Sequence, residues 1–318
     1  MGSTTLKGCG TALVTPFTRD GALDETALRR LVRFQVQEGI HFLVPCGTTG
    51  ESPTLTHEEH LRVVEIALEE ARQASRTVPV FAGAGGNNTA KIVSLIRELE
   101  AMGVDGILSV SPYYNKPTQE GIFQHYRALS DATRLPIIVY NVPGRTGSNI
   151  EPATLARLAA LPSIAGVKEA SGNITQMAEV LNAVPEGFAV LSGDDAITLP
   201  LMALGGVGII SVAANEVPGM MARLADLCLA GDFAAARQLN GRLLPLMQAN
   251  FIESNPIPVK AALAMMGLIE EVYRLPLVPM KPENRTRLRR ILEMLGLLKG
   301  SAEVQGQDCL PVAGSVQV

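Results

Sequence analysis

Residues 136–171 read PIIVYNVPGRTGSNIEPATLARLAALPSIAGVKEAS and contain two short apolar runs on either side of a segment with apolar residues at helical spacing. Apolar runs of about four to eight residues are typical of buried strands, whereas apolar positions that recur every turn are typical of amphipathic helices. The stretch is therefore predicted to form a strand, a helix and a second strand, which is the repeating unit of a parallel sheet.

The same alternation occurs about eight times before it stops near residue 230. The predicted strands are residues 10–17, 41–47, 79–85, 106–114, 136–143, 164–171, 188–195 and 207–213. Most of them are continuously apolar, as expected for a parallel sheet that is covered by helices on one face and filled by core on the other. Eight units predict an α/β fold closed into a (β/α)8 TIM barrel, with an open doubly wound sheet as the alternative.

Helices are predicted between the strands, several of them with Thr, Asp or Pro near the start. They cover residues 24–38, 57–72, 89–102, 121–133, 152–160, 174–184, 197–204 and 218–230. Residues 232 to about 298 are predicted to be helical throughout. We therefore expect a barrel domain over 1–230, a C-terminal helical subdomain over 231–300 and a weakly ordered tail over 301–318, where no periodicity is visible.

The composition excludes several classes of protein. With 318 residues and 47% hydrophobic side chains, the chain can bury a large core and is not a disordered protein. A net charge of −4 without a basic block gives nucleic acid no electrostatic footprint. There is no signal peptide pattern or membrane-spanning apolar run, and the four cysteines are scattered, so we expect a soluble protein of the reducing cytoplasm.

Lys168 is the most informative single residue because it lies in a strand-like apolar run. A lysine amine with a pKa of about 10.4 is protonated at neutral pH, but burial disfavours the ammonium form and lowers the pKa. Lys168 is therefore a candidate for forming a Schiff base with a carbonyl compound. The alternative is a lysine that reaches solvent or pairs with Glu169. The other lysines are predicted in loops, helices or helix flanks: Lys7, Lys91, Lys116, Lys260, Lys281 and Lys299.

Other polar residues follow the predicted strands, and in a barrel the carboxyl ends of the strands form the active site. Those expected to converge with Lys168 are residues 47–52, which include Thr48, Thr49, Glu51 and Ser52, together with Tyr113, Tyr114, Asn115, Tyr140, Asn141, Arg145, Gly193 and Asp194. The glycine-flanked threonines are typical of a carboxylate site, the tyrosines of a proton relay, and Arg145 of a second carboxylate clamp. An ordinary turn, a structural tyrosine and an exposed loop arginine are the alternatives.

Two cofactor motifs fail on inspection. The stretch GAGGNN, residues 83–88, lacks the third glycine of a dinucleotide loop, and no Gly-Lys-Ser/Thr follows a glycine-rich turn. His57 and His60 are separated by one residue less than the histidines of the HExxH zinc motif. The sequence therefore predicts neither a nucleotide cofactor nor a catalytic metal.

Six motifs occur in order along the chain: GTTGES, SPYYNKP, YNVPGRTG, GVKEASGN, LSGDD and NPIPVK. Together they resemble the dihydrodipicolinate synthase family, within the wider group of N-acetylneuraminate lyases and class I pyruvate aldolases, over residues 6 to 298. The resemblance implies a (β/α)8 barrel with C-terminal helices, a homotetramer built as a dimer of dimers, and no external cofactor. It implies condensation of pyruvate with aspartate 4-semialdehyde on the diaminopimelate route to lysine.

The resemblance also implies roles for individual residues. Lys168 would be the Schiff-base lysine and Tyr140 the proton donor and acceptor. Thr48 would join the relay with Tyr114, which in this family reaches in from the neighbouring subunit. Thr49 and the backbone around Ile210 would hold the carboxylate of pyruvate. Arg145 would bind the carboxylate of the semialdehyde.

Two other functions stay open at this stage. Relatives that cleave N-acetylneuraminate or 2-keto-3-deoxy sugar acids use the same lysine and tyrosine, although they generally carry another residue in place of Arg145. A protein of a different class would be a non-catalytic barrel that binds keto acids, and it would leave the relay residues idle.

Many members of the family are inhibited by lysine at a subunit interface. The matching positions here are Ser52, His57, His60, Asn87, Lys91 and Tyr113. Lys91 stands where an acidic residue would contact the amine of the effector, so the Coulomb interaction changes sign. The sequence therefore predicts weak or absent inhibition by lysine.

Overall fold

The computed structural model describes residues 6–298, in which eight parallel strands alternate with helices. The strands are β1 Gly8–Ala12, β2 Phe42–Val44, β3 Phe81–Gly83, β4 Gly106–Val110, β5 Ile137–Asn141, β6 Ile164–Glu169, β7 Ala189–Ser192 and β8 Gly208–Ser211. β1 pairs with both β2 and β8, and the order continues from β8 down to β3. Two backbone hydrogen bonds of 2.9 Å, from Leu43 to Pro79 and from Gly83 to Pro45, join β2 to β3. The sheet is therefore a closed barrel, and the open-sheet alternative is wrong.

The helices surround and extend this barrel. They are α1 Glu25–Gln37, α2 His57–Arg72, α3 Thr89–Met102, α4 Gln119–Ala132, α5 Pro143–Thr146, α6 Pro152–Leu158, α7 Ile174–Ala183, α8 Thr198–Ala203, α9 Pro218–Leu229, α10 Phe233–Ala249, α11 Ile257–Met265 and α12 Pro282–Met294. Side chains of Asp24, Thr56 and Asn88 accept hydrogen bonds from first-turn amides of α1, α2 and α3. Such caps satisfy otherwise unpaired amides, which explains why these helices begin where they do.

The barrel and its C-terminal helices are as predicted, but some boundaries differ. Every predicted strand runs past the last ladder residue, because the apolar pattern does not show where the ladder hydrogen bonds end. Residues 250–256 and 266–281 are not helical, contrary to the prediction of helix throughout 232–298. The predicted boundary near residue 230 falls between α9 and α10, which pack on each other, and it stays a prediction. The predicted weak tail, 301–318, lies outside the described residues.

Side chains of alternate strand residues fill two layers, as the pleat of a strand requires. In β5, Ile138 and Tyr140 point into the barrel, where they pack with Leu108, Leu191 and other interior residues. Their neighbours in sequence point outward, into the larger core between strands and helices. No helix within residues 6–298 has the length and apolar character needed to cross a membrane.

Candidate active site

Lys168 points into the barrel. Its backbone is in register with Tyr140 of β5 and Leu191 of β7, both of which belong to the interior layer. The side chain is 5% exposed, and its Nζ lies 4.4 Å from the centroid of the Tyr140 ring. Glu169, the next residue, faces away and accepts hydrogen bonds from the Asn141 side chain and the Ser171 amide. Pairing of Lys168 with Glu169 therefore does not occur.

The environment of Lys168 changes its protonation. Burial lowers the pKa of the amine to about 8; the nearby Asp195 carboxylate opposes this shift, and the Arg145 charge adds to it. Within residues 6–298, Lys168 forms no ion pair that would hold it charged. A lysine in such surroundings has a reactive neutral fraction near neutral pH, which is the property that a Schiff-base nucleophile requires.

Tyr140 lies beside Lys168, and the Thr48 hydroxyl lies within hydrogen-bond reach of Tyr140. Burial raises the pKa of the Tyr140 hydroxyl, while the Arg145 charge and the Thr48 hydroxyl lower it in part. Thr48 lines two adjoining cavities, one of about 40 Å³ that also contacts Tyr140 and one of about 290 Å³ that also contacts Arg145. The structure thus brings Thr48, Tyr140 and Arg145 together around these two cavities.

Thr49 and Arg145 are held by a residue that the sequence analysis did not single out. The side-chain amide of Asn255 donates a 3.0 Å hydrogen bond to the Thr49 hydroxyl. The Arg145 guanidinium donates a 3.2 Å hydrogen bond to the Asn255 carbonyl. Asn255 is the first residue of the NPIPVK motif and is buried. The C-terminal segment therefore fixes both residues expected to bind carboxylates.

The remaining predicted substrate residues occupy different places. Gly193 packs on the lysine stem, since a Cβ atom there would lie 3.1 Å from Cε of Lys168. The Asp194 carboxylate caps the short turn that follows it by accepting a hydrogen bond from the Ala196 amide. Ile210 is fully buried in the barrel interior on β8. Gly193 thus contacts the lysine, whereas the Asp194 carboxylate has a structural partner.

The side chains of the two adjacent tyrosines lie in different environments. Tyr113 lines the larger cavity, but Tyr114 has a left-handed backbone with φ of 71° and a side chain that is 88% exposed. A large aromatic ring so exposed has no partner inside its own chain, in the part of it that the structure describes. The fold of this chain therefore does not bring the Tyr114 ring into the cavity.

The predicted effector positions also divide into two groups. Ser52, His60 and Tyr113 line the larger cavity, and burial lowers the pKa of His60. The others lie at the surface: His57, which pairs with Glu98 at 2.8 Å; Asn87; and Lys91 in the first turn of α3. The histidines therefore have different environments despite their spacing.

Three further buried polar residues were given no individual role in the sequence analysis. Asp195 is buried next to β8 and accepts hydrogen bonds from the Ser211 hydroxyl and the amides of Val212 and Ala213. Glu51 and Lys260 form a buried ion pair of 2.5 Å. Lys260 carries the same signal as Lys168, a lysine within an apolar run, but it was assigned only to a helix.

Comparison with known proteins supplies the family context. The family model described as the dihydrodipicolinate synthetase family matches residues 5–295. The chain is 55% identical to the 4-hydroxy-tetrahydrodipicolinate synthase of Koribacter versatilis, over 94% of this chain and 99% of the relative.

Solved structures agree with this match. One neighbour is dihydrodipicolinate synthase from Aquifex aeolicus, with a TM-score of 0.89 and 44% identity over 92% of this chain and 100% of that one. Another is the chloride-inhibited dihydrodipicolinate synthase from Acinetobacter baumannii complexed with pyruvate, with a TM-score of 0.90, 42% identity and the same coverage of both chains.

Proposed function

The chain belongs to the dihydrodipicolinate synthetase family, and we propose that it uses Lys168 to condense pyruvate with L-aspartate 4-semialdehyde to 4-hydroxy-tetrahydrodipicolinate. It is a lyase of the class I aldolase type, in which a pyruvate Schiff base on a lysine replaces an external cofactor. The reaction belongs to lysine biosynthesis, as the names of the relatives imply. We assign the protein to the cytoplasm, because its three described cysteines are free and buried.

In the first half of the proposed reaction, the neutral Lys168 amine attacks the keto carbon of pyruvate and water leaves. The resulting iminium withdraws electrons, so a methyl proton is lost and an enamine forms. Tyr140 and Thr48 move the protons, since the two line one cavity and the Tyr140 ring lies 4.4 Å from the Lys168 amine. Thr49 and the backbone around Ile210 hold the pyruvate carboxylate.

In the second half, the enamine carbon attacks the aldehyde carbon of the semialdehyde, forming the new carbon–carbon bond. The substrate amine then adds to the iminium carbon, closes the ring and expels Lys168 as a free amine. Arg145 binds the semialdehyde carboxylate, for which its planar guanidinium has matched geometry. Arg145 lines the larger cavity and is only partly engaged by Asn255, so it is available to a substrate.

One observation carries the proposal. Lys168 is buried among apolar residues, has no ion-pair partner in the described chain, and has a pKa of about 8. A buried lysine that is not neutralised by a carboxylate is costly for a purely structural role. Its position beside a tyrosine, within a family of pyruvate-condensing enzymes, supports nucleophilic catalysis.

The proposed assembly is a tetramer built as a dimer of dimers, in which Tyr114 enters the cavity of a neighbouring subunit. The motivation is the 88% exposed ring on a left-handed residue beside the cavity-lining Tyr113. Sedimentation velocity reports the number of subunits. Tyr114→Phe should lower kcat without changing the assembly, and unchanged kcat would exclude a role in the relay.

The test of the function is borohydride reduction with and without pyruvate, followed by mass spectrometry and peptide mapping. We expect one pyruvate-dependent adduct on Lys168, and none in Lys168→Ala. Lys260→Ala is unsuitable as a control because it breaks a buried pair, so Lys281→Ala, an exposed lysine, is used. An adduct without product from the semialdehyde would favour a sugar-acid aldolase. A protein that binds pyruvate without any adduct would be a keto-acid-binding barrel.

A further inference from the structure

Glu51 and Lys260 form an ion pair that the proposed mechanism does not use. Their charged atoms are 2.5 Å apart, and the two side chains are 1% and 0% exposed. The Lys260 Nζ lies 4.4 Å from the ring centroid of Phe17 and 5.4 Å from that of Tyr273. The second Glu51 oxygen accepts a 3.3 Å hydrogen bond from the Arg274 amide. The pair is therefore isolated from water by aromatic rings and backbone.

Glu51 belongs to the loop that carries the active-site threonines. Residues 47–52 form consecutive tight turns, with the amides of Gly50 and Glu51 bonded to the carbonyls of Gly47 and Thr48. Glu51 itself is left-handed, with φ of 53°, a conformation that residues other than glycine adopt rarely. Such a conformation persists only when surrounding contacts enforce it. The bond to Lys260 is one such contact, only two residues after Thr49.

A second contact joins the same two segments. Asn255 binds the Thr49 hydroxyl at 3.0 Å, and it lies five residues before Lys260 at the start of α11. The start of α11 thus holds the threonine loop at two points, at Thr49 and at Glu51. It also holds Arg145 through the Asn255 carbonyl. No other segment of the described chain forms hydrogen bonds with the side chains of all three.

A contribution to the stability of the fold does not by itself explain the presence of this buried ion pair. Removing two charges from water costs free energy that their mutual attraction only partly returns, so a neutral pair of similar volume often leaves a protein equally stable. What a neutral pair does not reproduce is a short, directed contact that fixes one loop conformation. The geometry therefore favours a role in positioning.

We propose that Glu51 and Lys260 are positioning residues that lock the 47–52 loop so that Thr48 and Thr49 face pyruvate. The inference rests on the proposed function, because it assumes that these threonines bind pyruvate. α11, which follows the barrel in sequence, is then part of the active-site architecture. Loosening the loop weakens pyruvate binding before it affects the chemistry of Lys168.

The test compares Lys260→Met with the double variant Glu51→Gln/Lys260→Met. Lys260→Met leaves a buried carboxylate unpaired and should lower the urea midpoint, whereas the double variant should recover much of it. The KM for pyruvate should stay at least about tenfold higher in the double variant than in the unmodified protein. A tenfold change in affinity corresponds to a loss of only about 1.4 kcal/mol of binding free energy. The fraction trapped by borohydride at saturating pyruvate should equal that of the unmodified protein.

Glu70→Gln is the matched control, because Glu70 is a buried carboxylate that pairs with Arg29 and Arg33 away from the cavity. It should lower the urea midpoint and leave KM unchanged. A double variant with unchanged KM would overturn the inference. If the double variant does not fold, Glu51→Asp takes its place, because it keeps the charge and draws it back by one methylene. An unchanged KM in Glu51→Asp would also overturn the inference. Absence of any adduct in the unmodified protein would instead overturn the proposed function.

Discussion

The reactivity of Lys168 depends on the loss of its proton, and its pKa of about 8 sets the pH range. Below pH 8 the neutral fraction rises about tenfold per pH unit, and above pH 8 it levels off. We expect the initial rate of adduct formation with pyruvate, measured by cyanoborohydride trapping and mass spectrometry, to follow the same curve. A midpoint near the ordinary lysine pKa would show that burial does not activate the amine.

Gly193 is the residue whose substitution tests how tightly Lys168 is held. A Cβ atom at this position would lie 2.6 Å from the Cβ of Ala170 and 3.1 Å from the Lys168 stem. We expect Gly193→Ala to lower kcat by roughly 10- to 100-fold, because small misplacements of a reacting group are costly. The measurement is steady-state kinetics together with the trapping rate.

The control for this substitution separates the two contacts. Adding Ala170→Gly removes the contact with Ala170 and leaves the contact with Lys168, so kcat should stay low. Gly241→Ala, where a Cβ would meet nothing within 4 Å, should be silent in kinetics. Recovery of kcat in the double variant would mean that Ala170, not the lysine, carries the effect.

At the scale of elements, the start of α3 is where we predict that lysine binding is weakened. Lys91 lies in its first turn, where the unpaired amides already carry partial positive charge. A second cation is repelled by roughly 1 kcal/mol at about 4 Å in water. We expect L-lysine to leave the rate unchanged and Lys91→Glu to become at least about tenfold more sensitive. Norleucine, which keeps the α-ammonium and carboxylate groups of lysine but lacks its side-chain ammonium, is the control; inhibition of the unmodified protein by low L-lysine would contradict the prediction.

Elements were predictable from the sequence to different degrees. The bounds of α2 and α3 agree with prediction because their caps, Thr56 and Asn88, are local in sequence. Strand ends were overextended because ladder hydrogen bonds depend on neighbouring strands and not on hydropathy. Asn255 and Lys260 were missed as site residues because their partners are 206 and 209 residues away. The position of Lys168 was predictable because one strand alone determines it.

At the scale of the whole molecule, two buried acids link stability to pH. Burial raises the pKa of Asp195 and raises that of Glu216 well above its ordinary value. One oxygen of Glu216 accepts a 2.7 Å hydrogen bond from the Asn250 side chain, and the other has no partner in the described chain. Both groups keep their protons to a higher pH in the folded state than in the unfolded chain. Above the ordinary carboxyl pKa of about 4 the unfolded chain releases these protons first.

The folded chain therefore holds more protons than the unfolded chain as pH rises from about 4, and the free energy of unfolding falls in that window, by at most about 1.4 kcal/mol per pH unit for one group.

Glu216→Gln keeps an acceptor for Asn250 and removes the titration. We expect its urea midpoint to decline less than that of the unmodified protein between pH 5 and 8, measured at constant ionic strength. The part of the decline that is due to Asp195 should remain. The control variant Glu186→Gln, at an exposed glutamate, should leave the decline of the urea midpoint with pH unchanged. Equal slopes for the unmodified protein and Glu216→Gln would mean that the Glu216 carboxyl ionises in the folded protein as readily as in the unfolded chain.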